Sequence, residues 1–102
     1  MTTRTTADLV DGLPGADFVR QGITDLENSV ESVAALLVAT GAHRIKEILT
    51  ELRLPVLPNQ PERRLYALLS HQHPQEAYSQ YNAHLRRLTR FCRALEARSH
   101  RR

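Results

Sequence analysis

Val33-Ala34-Ala35-Leu36-Leu37-Val38-Ala39 is the longest uninterrupted apolar run in the 102-residue chain. A bilayer-spanning helix needs about 20 apolar residues, so this run is too short to cross a membrane. Wound as a helix it is apolar on several faces, and such a helix is normally surrounded by neighbours. It is therefore expected at the centre of an all-α fold. Working back from it, Val19, Ile23, Leu26, Val30, Val33 and Leu37 recur at spacings of four, three, four, three and four. That spacing marks a helix packed along one seam and predicts one long helix over about 16–40. Gly22 interrupts the seam at a cost of about 1 kcal/mol relative to Ala. Thr24-Asp25-Leu26-Glu27 just beyond it has capping-box form. A kink or restart is expected near residues 22–24.

Working forward, Gly41 suits a helix stop. Ile45, Ile48, Leu49 and Leu52 then make the apolar stripe of a short helix over about 42–53. Leu54-Pro55-Val56-Leu57-Pro58-Asn59-Gln60 reads as a loop, because its prolines remove donors and disfavour helix in the residues before them. Pro61 fits the first position of a third helix over about 61–71, with Leu65, Leu68 and Leu69 on its buried side. The fourth helix, about 74–99, carries Tyr78, Tyr81, Leu85, Leu88, Cys92 and Leu95 at alternating spacings of three and four. Ala77, His84 and Phe91 repeat every seven residues beside that stripe. No strand-like alternation persists and no Asn-Gly or Asp-Gly hairpin turn occurs.

The expected architecture is a small four-helix bundle. Its two long helices pack on each other, and the two short ones cover one end. The expected core includes Leu26, Val30, Leu37, Ile45, Leu65, Tyr81, Leu85 and Leu95. Residues 1–15 read as a flexible N-terminal tail, with Leu9, Val10 and Leu13 available to dock on the body. Residues 16–102 read as a single helical domain. The lone cysteine, Cys92, cannot close an internal disulfide, and no secretory hydrophobic segment follows Met1, so the expected compartment is the cytoplasm. The fourth helix, at 26 residues, would span about 39 Å, against a diameter of roughly 34 Å for a compact chain of this size. That length predicts a protruding helix or a partner lying along it. A homodimer is the expected assembly.

Charge is segregated along the chain. Residues 1–51 carry four cations against eight carboxylates, a net of −4. Residues 52–102 carry ten arginines against Glu62, Glu76 and Glu96, a net of +7. Arg86, Arg87, Arg90 and Arg93 fall on the side of the fourth helix opposite Leu85 and Leu88, and Arg98 extends the positive end. These five residues are the candidate contact for an acidic protein partner. Phosphates are the alternative, since clustered arginines neutralise them and release counterions. Against nucleic acid, the aromatic residues lie on the apolar stripe rather than among the arginines, so no base-stacking platform is evident. The plainer account is a solvated face, or one complementing Asp25, Glu27 and Glu31 on another helix.

Candidate chemistry is sparse. His84 and Tyr81 fall beside the apolar stripe and are expected to form a buried polar contact. Cys92 on the same stripe is expected to be an inert thiol. His71, His73, Glu76 and His84 lack the spacing of a converging metal site, and no catalytic, cofactor or metal residue is assigned. Arg64…His71 and Arg93…His100 match an Arg–His spacing found in some helical ribonucleases, at the frequency chance gives. There is no phosphate-binding glycine loop, nucleophile elbow or Cys-x-x-Cys. An enzyme would need a concave pocket holding at least two of His71, His73, His84, Tyr66 and Tyr81. The expected function is a non-enzymatic protein-interaction module, an adaptor or small subunit of a cytoplasmic complex. It is expected to self-associate through its long helices, with no cofactor and no membrane. The alternative is nucleic-acid binding through the basic face of the C-terminal helix.

Overall fold

A computed structural model describes residues 9–50 and 52–100. Among these residues the chain is all helix and loop, with no strand. Four helices follow one another: α1 Ala16–Glu27, α2 Val33–Ile48, α3 Pro61–Gln72 and α4 Ala77–Ser99. No helix among them is long and apolar enough to cross a membrane. The third and fourth helices fall where the periodicity places them, except that α4 begins at Ala77. Pro74–Glu76 form a turn instead, closed by the Glu76 amide donating to the His73 carbonyl at 3.0 Å.

The first half of the chain departs from expectation. The single helix over 16–40 is in fact two helices, and the break lies at residues 28–32 rather than at 22–24. Asn28 ends α1, and Ser29 adopts φ +58°, a left-handed conformation that reverses the chain. The Val30 amide bonds back to the Asp25 carbonyl at 2.7 Å. Ser32 then caps α2: its side chain accepts from the Ala35 amide at 3.0 Å and donates to Asp25 Oδ2 at 2.6 Å. Asp25 Oδ1 also accepts from the Gln21 amide nitrogen at 2.9 Å, so one carboxylate ties the end of α1 to the start of α2. The expected capping box does not form, because Thr24 Oγ1 bonds the Arg20 carbonyl inside α1. Val30, expected in the core, sits in the turn and is 48% exposed.

Gly22 and Gly41 are not breaks. Both lie inside continuous helices because another helix needs their room. A Cβ on Gly22 would strike the Ala34 carbonyl and approach Val38 Cγ2 to 2.5 Å. A Cβ on Gly41 would come within 2.6 Å of Leu88 Cδ1. The helix expected over 42–53 is thus the second half of α2, which stops at Ile48.

Helix α2 is the hub. It packs against α1, α3 and α4, and α3 packs against α4. Its buried residues are Ala35, Leu36, Leu37, Val38, Ala39, Gly41, Ala42 and Ile45, as expected of a helix apolar on several faces. Phe18 of α1 meets Phe91 of α4 edge to face, with ring centroids 6.0 Å apart. Leu36, Leu37, Ile45, Leu65, Leu69, Phe91 and Leu95 are fully buried, each contributing about 1.5–3 kcal/mol of apolar burial. Tyr81 and Leu85 only flank this core. Residues 1–8, most of the expected tail, lie outside the described residues, whereas Leu9 and Val10 are buried. The molecule measures 47 × 26 × 19 Å. The 23 residues of α4 span about 35 Å, shorter than the 26-residue helix expected and less than the 47 Å long dimension.

Candidate interaction surfaces

The five arginines assigned from sequence do not form one face. Arg86, Arg90 and Arg93 do line up, along an exposed groove completed by Asn82, Leu85 and Thr89. No ion pair among the described residues involves any of the three. Arg87 turns the other way and stacks over the Phe18 ring, 5.2 Å from its centroid. Arg98 is taken up by the N-terminal segment, donating to the Asp11 carbonyl at 2.5 Å and the Leu9 carbonyl at 3.4 Å. The reason for both departures is the same. Both lie toward the buried Phe91 side of α4, Arg87 one turn before Phe91 and Arg98 two turns after it, where α1 and residues 9–11 pack. Nor do the acids of the first half complement the row. Glu31 pairs with Arg64 of α3 at 2.8 Å, and Asp25 is held by Ser32 and Gln21.

His84 and Tyr81 do not form the expected buried contact. Both are half-buried, and the described residues include no fully buried polar side chain. Tyr81 packs edge to face on Tyr66, with centroids 5.4 Å apart. His84 Nδ1 lies 3.3 Å from Arg87 Nη1. Partial burial, then the Arg87 and His73 charges, hold the His84 imidazole below its usual range. Burial pushes the Cys92 thiol up, against a weaker opposing pull from Arg44. A raised thiol within the core is a poor nucleophile. No group of three or more His, Cys, Asp or Glu converges in metal-binding geometry among the described residues.

Two grooves hold exposed apolar side chains. The first, of about 610 Å³, is lined by Tyr66, Ala67 and Tyr81 with Glu62, Arg63 and Arg64 at its edge. It holds Tyr66 and Tyr81, the two-residue minimum expected of an enzyme pocket, while His71, His73 and His84 do not line it. The second, of about 480 Å³, lies where the α1–α2 turn meets the loop after α2, between Leu26, Val30 and the segment Pro55-Val56-Leu57-Pro58. Val56 is 93% exposed there, and Tyr78, three residues before Tyr81 on α4, is 71% exposed. Residues 54–60 are the loop their prolines predict, and two large apolar residues held between those prolines, with no periodicity to bury them, are the sequence signal of this exposed surface. The grooves adjoin, because the Glu31–Arg64 pair joins the edge of one to the edge of the other. Comparison with protein-family models, with curated proteins and with solved structures finds no match.

Proposed function

We propose that this chain is a non-enzymatic protein-interaction module, built as a four-helix bundle, that self-associates and offers the Arg86, Arg90 and Arg93 face of α4 to an acidic protein surface. It acts as an adaptor or small subunit of a cytoplasmic complex. The observation that carries the acidic-partner reading is the row itself. Arg20, Arg44 and Arg64 each have a carboxylate partner, while these three have none among the described residues. Like charges three and four apart on a helix repel by roughly 0.2–0.5 kcal/mol per pair. No carboxylate among the described residues offsets that repulsion, and an acidic surface relieves it while steering encounter.

The same unpaired row favours a second reading, contact with nucleic-acid phosphates. A titration of wild type and R86E/R90E/R93E against a Glu-rich peptide and a DNA duplex, at two salt concentrations, separates the two. The protein-partner reading expects salt-sensitive peptide binding, abolished by charge reversal, and no duplex retention. Three phosphate contacts would instead give a log–log salt slope of about −2.7 with the duplex. Binding of neither probe overturns both.

A further inference from the structure

The exposed apolar segment at the edge of the second groove suits the chemistry of the first groove, and this bears on how the self-association just proposed is built. Val56 and Leu57 project between two prolines, which fix their own backbone torsions and offer no N–H. Such a segment loses little freedom on docking, and proline-flanked apolar residues commonly seat in aromatic-lined grooves. The Tyr66–Tyr81 groove has that lining. The edges match in charge. Among the described residues, Glu27 beside the Val56 ridge is exposed and has no ion pair, and Arg63 at the tyrosine groove makes only a 3.5 Å bond to Gln60. Arg53, exposed two residues ahead of Pro55, is matched by Glu62 at the tyrosine groove.

Within one molecule the ridge cannot reach its own groove, since the Glu31–Arg64 pair stands between them. That adjacency is what a two-fold assembly needs. Donor and acceptor surfaces side by side let each copy give its ridge and receive its partner's, closing the pair. We propose that the occupant of the tyrosine groove is the Pro55–Pro58 ridge of a second copy of this chain, exchanged reciprocally about a two-fold axis beside Glu31 and Arg64. The inference rests on the self-association reading and places the seam on the α3 and loop surface, leaving the Arg86, Arg90 and Arg93 face free.

Two measurements test it on the full chain. Sedimentation equilibrium compares wild type with Val56→Asp, a change at a side chain too exposed to affect folding. Dimer dissociation is expected to rise about tenfold or more, because each dimer buries two such valines. Separately, a spin label on Asn59→Cys, an exposed side chain next to Pro58 that the seam does not use, is placed in unlabelled protein and mixed with ¹⁵N-labelled wild type. The buried Cys92 thiol is left unlabelled. Broadening is expected at the Tyr66, Ala67 and Tyr81 amides of the other copy. A wild-type dimer that V56D does not weaken, or broadening centred on Arg86–Arg93, overturns the exchange and leaves self-association standing. A wild type that stays monomeric overturns both.

Discussion

Replacing Gly22 by Ala tests why α1 and α2 lie so close. On an isolated helix the change would stabilise, by about 1 kcal/mol of helix propensity. Had Gly22 marked a kink, that gain would appear in full. In the folded chain the new methyl would strike the Ala34 carbonyl oxygen, with the carbonyl carbon at 2.9 Å and Val38 Cγ2 at 2.5 Å. Ordinary van der Waals contact begins near 3.4 Å. The obstacle is backbone, so no rotamer change relieves it, and the two helices must separate. Overpacking of this kind costs roughly 1–3 kcal/mol and occasionally more. A backbone clash belongs at the upper end, so after the propensity gain a net loss of about 1–2 kcal/mol is expected. In urea unfolding followed by circular dichroism, G22A should shift the midpoint down with an unchanged slope. Its melting temperature should fall by roughly 4–8 °C per kcal/mol. Gly41→Ala is the internal control. Its Cβ meets the Leu88 side chain, Cδ1 at 2.6 Å and Cγ at 3.2 Å, rather than backbone, so its net effect should be smaller than that of G22A. An unchanged or raised midpoint for G22A would refute the close-approach explanation.

Three further outcomes are expected. Ser32→Ala removes the α2 cap and frees the Asp25 carboxylate, and should cost about 1–2 kcal/mol by chemical denaturation, whereas Thr24→Ala should cost less. Arg98→Ala should release the segment it clasps, seen as faster hydrogen exchange at the Leu13 and Ala16 amides and new protease cleavage near Gly12, with α4 otherwise intact. His84 is held below 6.5 when folded, so the unfolded chain binds its proton first as pH falls. Stability should be unpenalised above about pH 6.5 and decline as pH drops through the window beneath it, and His84→Gln should flatten that slope in denaturation midpoints across the range.

How much of this was legible in the sequence depends on what each residue's role required. Helices α3 and α4 were readable because their apolar stripes and the Pro61 start are local facts. The α1–α2 hairpin was not, because Val30 continues the three-four spacing straight through the turn that exposes it. Asn28-Ser29 and the capping Ser32 were the available signals, overshadowed by that regular seam. Gly22 and Gly41 read as punctuation since a sequence shows the cost of a glycine and not the helix that packs against it. At the surface, three of the five arginines were placed together correctly. Arg87 and Arg98 were not, because Phe18 and the Leu9–Asp11 backbone reach them from distant parts of the chain. The exposed Val56 escaped notice for the opposite reason: a loop has no periodicity against which an unburied apolar residue stands out.

The central claim, that this chain works by associating with its own kind, is tested most directly by sedimentation equilibrium of the wild type from low to high micromolar concentration. Mass is expected to rise with concentration from 11.6 kDa toward twice that value. A mass of 11.6 kDa at every concentration would contradict it.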